Sequence, residues 1–97
     1  MPGRNVKTPA DKARDQMLTF ETLAVLDESP IALTISEIQE KSMTLTGLTS
    51  QKMARILSEL NKVGLIRKAQ SKGRKRMIYM SIAKMEELGI TMSEEVN

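Results

Sequence analysis

Gln51, Arg55, Ser58 and Lys62 follow one another at offsets of four, three and four. On a helix, that spacing brings all four to one face. The face offers a guanidinium fork, a carboxamide, a hydroxyl and an ammonium. These groups suit a base-paired duplex, since Arg can fork onto guanine O6 and N7 and Gln can pair with adenine N6 and N7. Ten residues further on, Lys72, Arg74, Lys75 and Arg76 surround Gly73. Basic tips of this kind reach phosphates or enter a narrow minor groove.

The charge balance points the same way. Lys52 to Arg76 holds nine of the fifteen basic residues and a single acid, Glu59, for a net +8. The rest of the chain carries six basic and eleven acidic residues, a net −5. Such segregation is an electrostatic footprint for a polyanion, and nucleic acid is the one expected here. The bland reading of a charge run is a solvated face. Phe20 and Tyr79 are the only aromatic residues, which argues against a single-strand stacking platform.

Other chemistries lack their residues. The chain has no cysteine and no histidine, so disulfides, thiolate metal sites and the commonest general base are absent. The acid pairs Asp27-Glu28 and Glu86-Glu87 are adjacent in sequence, so their side chains diverge by about 100° on a helix. Neither pair resembles a catalytic dyad. The expectation is a protein that is not an enzyme and uses no metal or cofactor. No apolar run approaches the roughly 18 residues of a membrane span, and no secretory signal opens the chain. A cytoplasmic location follows, nucleoid-associated when DNA is bound.

Positioning these residues requires a small set of elements in one domain of the 97 residues. The spacing predicts a basic N-terminal arm over 1–8, a domain over 9–90 and an acidic tail over 91–97. Thr8, Pro9 and Asp11 signal a helix start, and Ser29-Pro30 ends that helix near Glu28. Within it, Ala13, Met17, Phe20 and Ala24 make one apolar stripe, which Leu18, Leu23, Val25 and Leu26 widen. Two readings fit this surface: a central helix packed against several neighbours, which is favoured, or a homodimer interface.

Ile31 to Leu33 reads as a short extended connection. Thr34 and Glu37 form a capping-box pattern opening a helix over about 36–42, with Ile35 and Ile38 inward. Met43 to Leu48 reads as a linker. Thr49 or Ser50 caps a third helix running to about Val63, with Met53, Ile56, Leu57 and Leu60 as its core stripe. Gly64 suits a left-handed position past its end. Leu65 to Gln70 and Met77 to Ile82 read as a β-hairpin with a basic tip. Ser81 caps a last short helix, ended by Gly89. The eight methionines are expected mainly as core filler.

Thr34-Ile-Ser-Glu-Ile-Gln-Glu-Lys-Ser, then Thr49-Ser-Gln-Lys-Met-Ala-Arg-Ile-Leu-Ser-Glu-Leu-Asn-Lys-Val-Gly-Leu-Ile-Arg-Lys, then a basic hairpin, resembles winged-helix regulators of the prokaryotic MarR and ArsR type. The likeness covers roughly residues 11–89, and Leu57-Ser-Glu-Leu-Asn-Lys-Val-Gly-Leu-Ile is its most specific piece. The chain departs from those families in lacking the long terminal dimer helices of the first and the Cys and His metal ligands of the second. The resemblance implies an α+β winged helix: a three-helix bundle, a β-hairpin wing and a short C-terminal helix. It implies a transcriptional regulator of double-stranded DNA, with the third helix in the major groove and the wing on flanking backbone or minor groove. By position, Thr49, Ser50, Gln51, Lys52, Arg55 and Lys62 fall to the helix contacts, and Lys72, Arg74, Lys75 and Arg76 to the wing. The alternative from the same fold is a protein-interaction module within a larger complex.

Overall fold

Pro9 opens a twenty-residue helix, α1 (Pro9–Glu28). Its fixed φ suits the first helical turn, where no backbone N–H acceptor is available. Leu18, Thr22, Val25 and Leu26 form its buried side. Thr22 is tolerated there because its hydroxyl donates to the Leu18 carbonyl at 2.8 Å. The computed structural model describes residues 9–70 and 76–90. The predicted arm, the Thr8 cap, the hairpin tip with Lys72, Arg74 and Lys75, and the acidic tail therefore lie outside the described residues.

Thr34 closes a reciprocal box at the start of α2 (Ile35–Glu40). Its Oγ1 accepts from Glu37 N–H at 3.3 Å, and Glu37 Oε1 accepts from Thr34 N–H at 2.9 Å. The segment from Met43, read from sequence as a linker, instead contains a helical turn, α3 (Met43–Thr46), capped by Ser42. Leu45, fully buried, anchors it to the core. The turn is held by side chains rather than by periodicity. Gln39 Nε2 donates to the carbonyls of Leu45 and Leu48 at 2.9 and 2.7 Å. Thr46 Oγ1 donates to the Gln39 and Ser42 carbonyls at 2.6 and 2.9 Å.

Gln39→Ala therefore removes two hydrogen bonds and leaves the Leu48 carbonyl poorly satisfied in a half-buried turn. We expect a loss of about 1–2 kcal/mol in stability, read by urea denaturation. A variant as stable as the parent would show that the turn holds without this clamp.

Thr49 caps α4 (Ser50–Lys62). Met53, Ile56, Leu57 and Leu60 bury one side of it. Gly64 follows at φ 84, a conformation that costs a side-chain-bearing residue more than glycine. Its N–H bonds Asn61 O and the Leu65 N–H bonds Leu60 O, so the last carbonyls of α4 are satisfied as the chain turns. That turn delivers the chain directly into β1 (Ile66–Gln70), which pairs antiparallel with β2 (Met77–Ser81) from Ile66↔Ser81 to Gln70↔Met77. Leu33 pairs with Tyr79 on the other edge of β2, with N–H···O distances of 2.9 and 2.8 Å. Burial pushes the Tyr79 phenol pKa above its usual value. Ser81 caps α5 (Ile82–Leu88) and donates to Asp27, tying that helix to the end of α1.

The core runs between these layers through Leu26, Leu33, Ile38, Leu45, Met53, Leu57 and Ile66. A helical bundle, a small antiparallel hairpin and a short last helix match a winged-helix architecture. One expectation about α1 needs revision. Ala13, Met17, Phe20 and Ala24 stay exposed. The packed side is the one carrying Leu18 and Leu26.

Candidate nucleic-acid interface

Burial of its apolar stripe orients α4. Once Met53, Ile56, Leu57 and Leu60 face inward, Gln51, Arg55, Ser58 and Lys62 must face out, and all four are exposed. Arg55 and Lys62 then lie about 10 Å apart along the axis. Among the described residues, no hydrogen bond or ion pair engages the Arg55 guanidinium. The face is thus a row of available donors on a rigid cylinder.

The N-terminus of α4 is partly spoken for. Thr49 Oγ1 accepts from Lys52 N–H at 3.0 Å. Helix geometry leaves the N–H groups of Ser50 and Gln51 without an intrahelical acceptor, and these point outward along the axis. Lys52 behaves differently from the sequence expectation of a free contact. Its Nζ lies 2.9 Å from Asp15 Oδ1 of α1, with both side chains 29% exposed. A pair this accessible adds at most about 1 kcal/mol. Its clearer effect is to commit the ammonium to bracing α4 against α1. Arg55, Thr49 and Lys52 also border a cavity of about 440 Å³ against Asp11, Arg14 and Asp15. Cations and carboxylates alternate there, so the hollow has no strong preference for an anion.

Arg76 is exposed at the foot of β2. It borders a cavity of about 240 Å³ with Thr34, Ile35, Ser36 and Tyr79, at the start of α2. Lys72, Arg74 and Lys75 are outside the described residues. Two further cations of the basic segment, Arg67 and Lys68, sit half-buried on β1 opposite Met80 and Tyr79. The sequence reading left them out of the site. Asp15 was also missed, because nothing local marks a partner 37 residues from Lys52.

Among the described residues, no group of three or more His, Cys, Asp or Glu is placed to hold a metal ion. No helix there is long and apolar enough to cross a membrane. No protein-family model matches the sequence, and no curated protein matches it.

Proposed function

We propose that this chain is a winged-helix regulator that binds double-stranded DNA, of the general kind seen in MarR- and ArsR-type proteins. Helix α4 enters the major groove, and the basic wing grips flanking backbone or minor groove. The observation that carries this reading is the division of α4. One side is wholly committed to the core, and the other presents Gln51, Arg55, Ser58 and Lys62 to solvent.

In this reading Arg55 forks onto guanine and Gln51 pairs with adenine. Lys62 and the N–H groups of Ser50 and Gln51 hold phosphates, which favour a helix N-terminus. The Thr49 hydroxyl accepts from the Lys52 N–H and keeps its own proton to donate to the same phosphate. Lys52 positions the helix through Asp15 and contributes least to the duplex directly. Lys72, Arg74, Lys75 and Arg76 neutralise the flanking backbone.

Titration of a mixed-sequence duplex by fluorescence anisotropy over a series of salt concentrations tests the proposal. Each neutralised phosphate contributes a slope of about −0.9 in log K against log salt. The expected outcome is a steep decline, with Lys62→Ala flattening the slope by about one unit and weakening all sequences evenly. Salt-independent binding, or no binding at low salt, would remove the proposal.

A further inference from the structure

Helix α1 has two apolar faces and the domain uses one of them. Leu18, Thr22, Val25 and Leu26 are buried. Roughly 150° around the helix, Ala13, Met17, Phe20 and Ala24 form a second stripe, with Met17 69% and Phe20 67% exposed. Single apolar side chains at a surface are ordinary, whereas a contiguous stripe marks an interaction site. Beside Phe20, a cavity of about 280 Å³ lined by Leu23, Leu60, Val63 and Leu65 extends the same surface.

The spacing indicates what covers it. Offsets of four, three and four are the seam of a two-stranded coiled coil. Read from either end, the stripe runs small, large, large, small. A twofold axis crossing the helix between Leu18 and Thr19 lays Ala13 on Ala24, and Met17 on Phe20, of a second copy. Self-complementarity of this sort is the requirement of an isologous interface. We propose that α1 pairs antiparallel with α1 of a second copy of this chain, in this register.

Charge selects the register and the direction. Arg14 and Glu21 each follow a seam residue on the same flank, and in an antiparallel pair that flank meets itself. In the proposed register, Arg14 of each copy faces Glu21 of the other. Sliding by one heptad sets Arg14 against Arg14 in one direction. In the other it sets Glu21 against Glu21 and brings Asp27 onto Met17. A parallel pair would place Gln16 and Leu23 on that flank and match no opposite charges. Glu21 accepts from Ser42 Oγ at 2.7 Å through Oε2, which leaves Oε1 for the contact. This pairing is independent of DNA binding, since it uses no residue of the α4 face or the wing.

Sedimentation of the full chain over a range of concentrations should show a dimer. Phe20→Asp should abolish it while the circular dichroism spectrum stays unchanged, because Phe20 is 67% exposed in the domain's own fold. The melting temperature should rise with concentration for the parent and not for the variant. Orientation is read separately. The chain has no cysteine, so Ala13→Cys mixed with Ala24→Cys should oxidise to a mixed disulfide dimer, and Ala13→Cys alone should not. A chain that stays monomeric, a Phe20→Asp dimer, or crosslinking of Ala13→Cys to itself would overturn the proposal.

Discussion

Duplex affinity falls by about 1–3 kcal/mol, roughly 5- to 150-fold, when Arg55 is replaced by alanine, and preference weakens at one base pair. The size of the effect follows from position. Arg55 stands in the middle of the outward face of α4, exposed and without a partner among the described residues. Among the described residues, no internal hydrogen bond or ion pair has to be given up when it engages a base, and none is lost when it is removed. Folding stability should therefore be nearly unchanged, within about 0.5 kcal/mol. Arg55→Lys separates charge from geometry. Lysine keeps the point charge but not the planar fork, so binding to arbitrary duplex should survive while the base preference disappears. Equal affinity of parent and Arg55→Ala across sequences would take Arg55 out of the interface.

Leu57→Ala has the other large effect, on the fold rather than on the ligand. Leu57 is completely buried on the inward side of α4, in the cluster with Leu26, Ile38, Leu45 and Ile66. Truncation removes its transfer energy and leaves a cavity, together costing about 2–5 kcal/mol. A domain of this size holds roughly 5–15 kcal/mol in total. The variant should therefore melt far below the parent and unfold at a much lower urea concentration. Its DNA binding should weaken in proportion to the unfolded fraction and recover on cooling toward the temperature of greatest stability. A loss under 1 kcal/mol would mean that the inward side of α4 is not what fixes this helix.

Much of the fold is legible because its boundaries are written in local chemistry. Pro9 and Ser29-Pro30 bound α1, Thr34 with Glu37 opens α2, and Gly64 and Gly89 close α4 and α5 at positive φ. These devices act within a few residues and need no tertiary information. α3 escaped because its turn depends on Gln39 reaching Leu48, nine residues away. A Met-Thr-Leu-Thr run carries neither strong helix propensity nor a repeating apolar pattern. α1 shows a different limit. Both of its apolar stripes have helical spacing, so periodicity alone cannot say which faces the core. The buried side carries Leu18, Val25 and Leu26, and it tolerates Thr22 because the Thr22 hydroxyl finds the Leu18 carbonyl. The outward face of α4 was legible because its opposite stripe is unambiguous. The diversion of Lys52 to Asp15 was not, because it depends on how α1 and α4 pack.

The central claim is that the outward face of α4 is the surface a duplex touches. Backbone amide NMR shifts, followed while a short duplex is added at low salt, test it most directly. The account predicts the largest changes at Gln51, Arg55, Ser58 and Lys62, with a second set at Arg76 and little change at Met17 or Phe20. Shifts confined to α1, or spread evenly with none concentrated on α4, would contradict it.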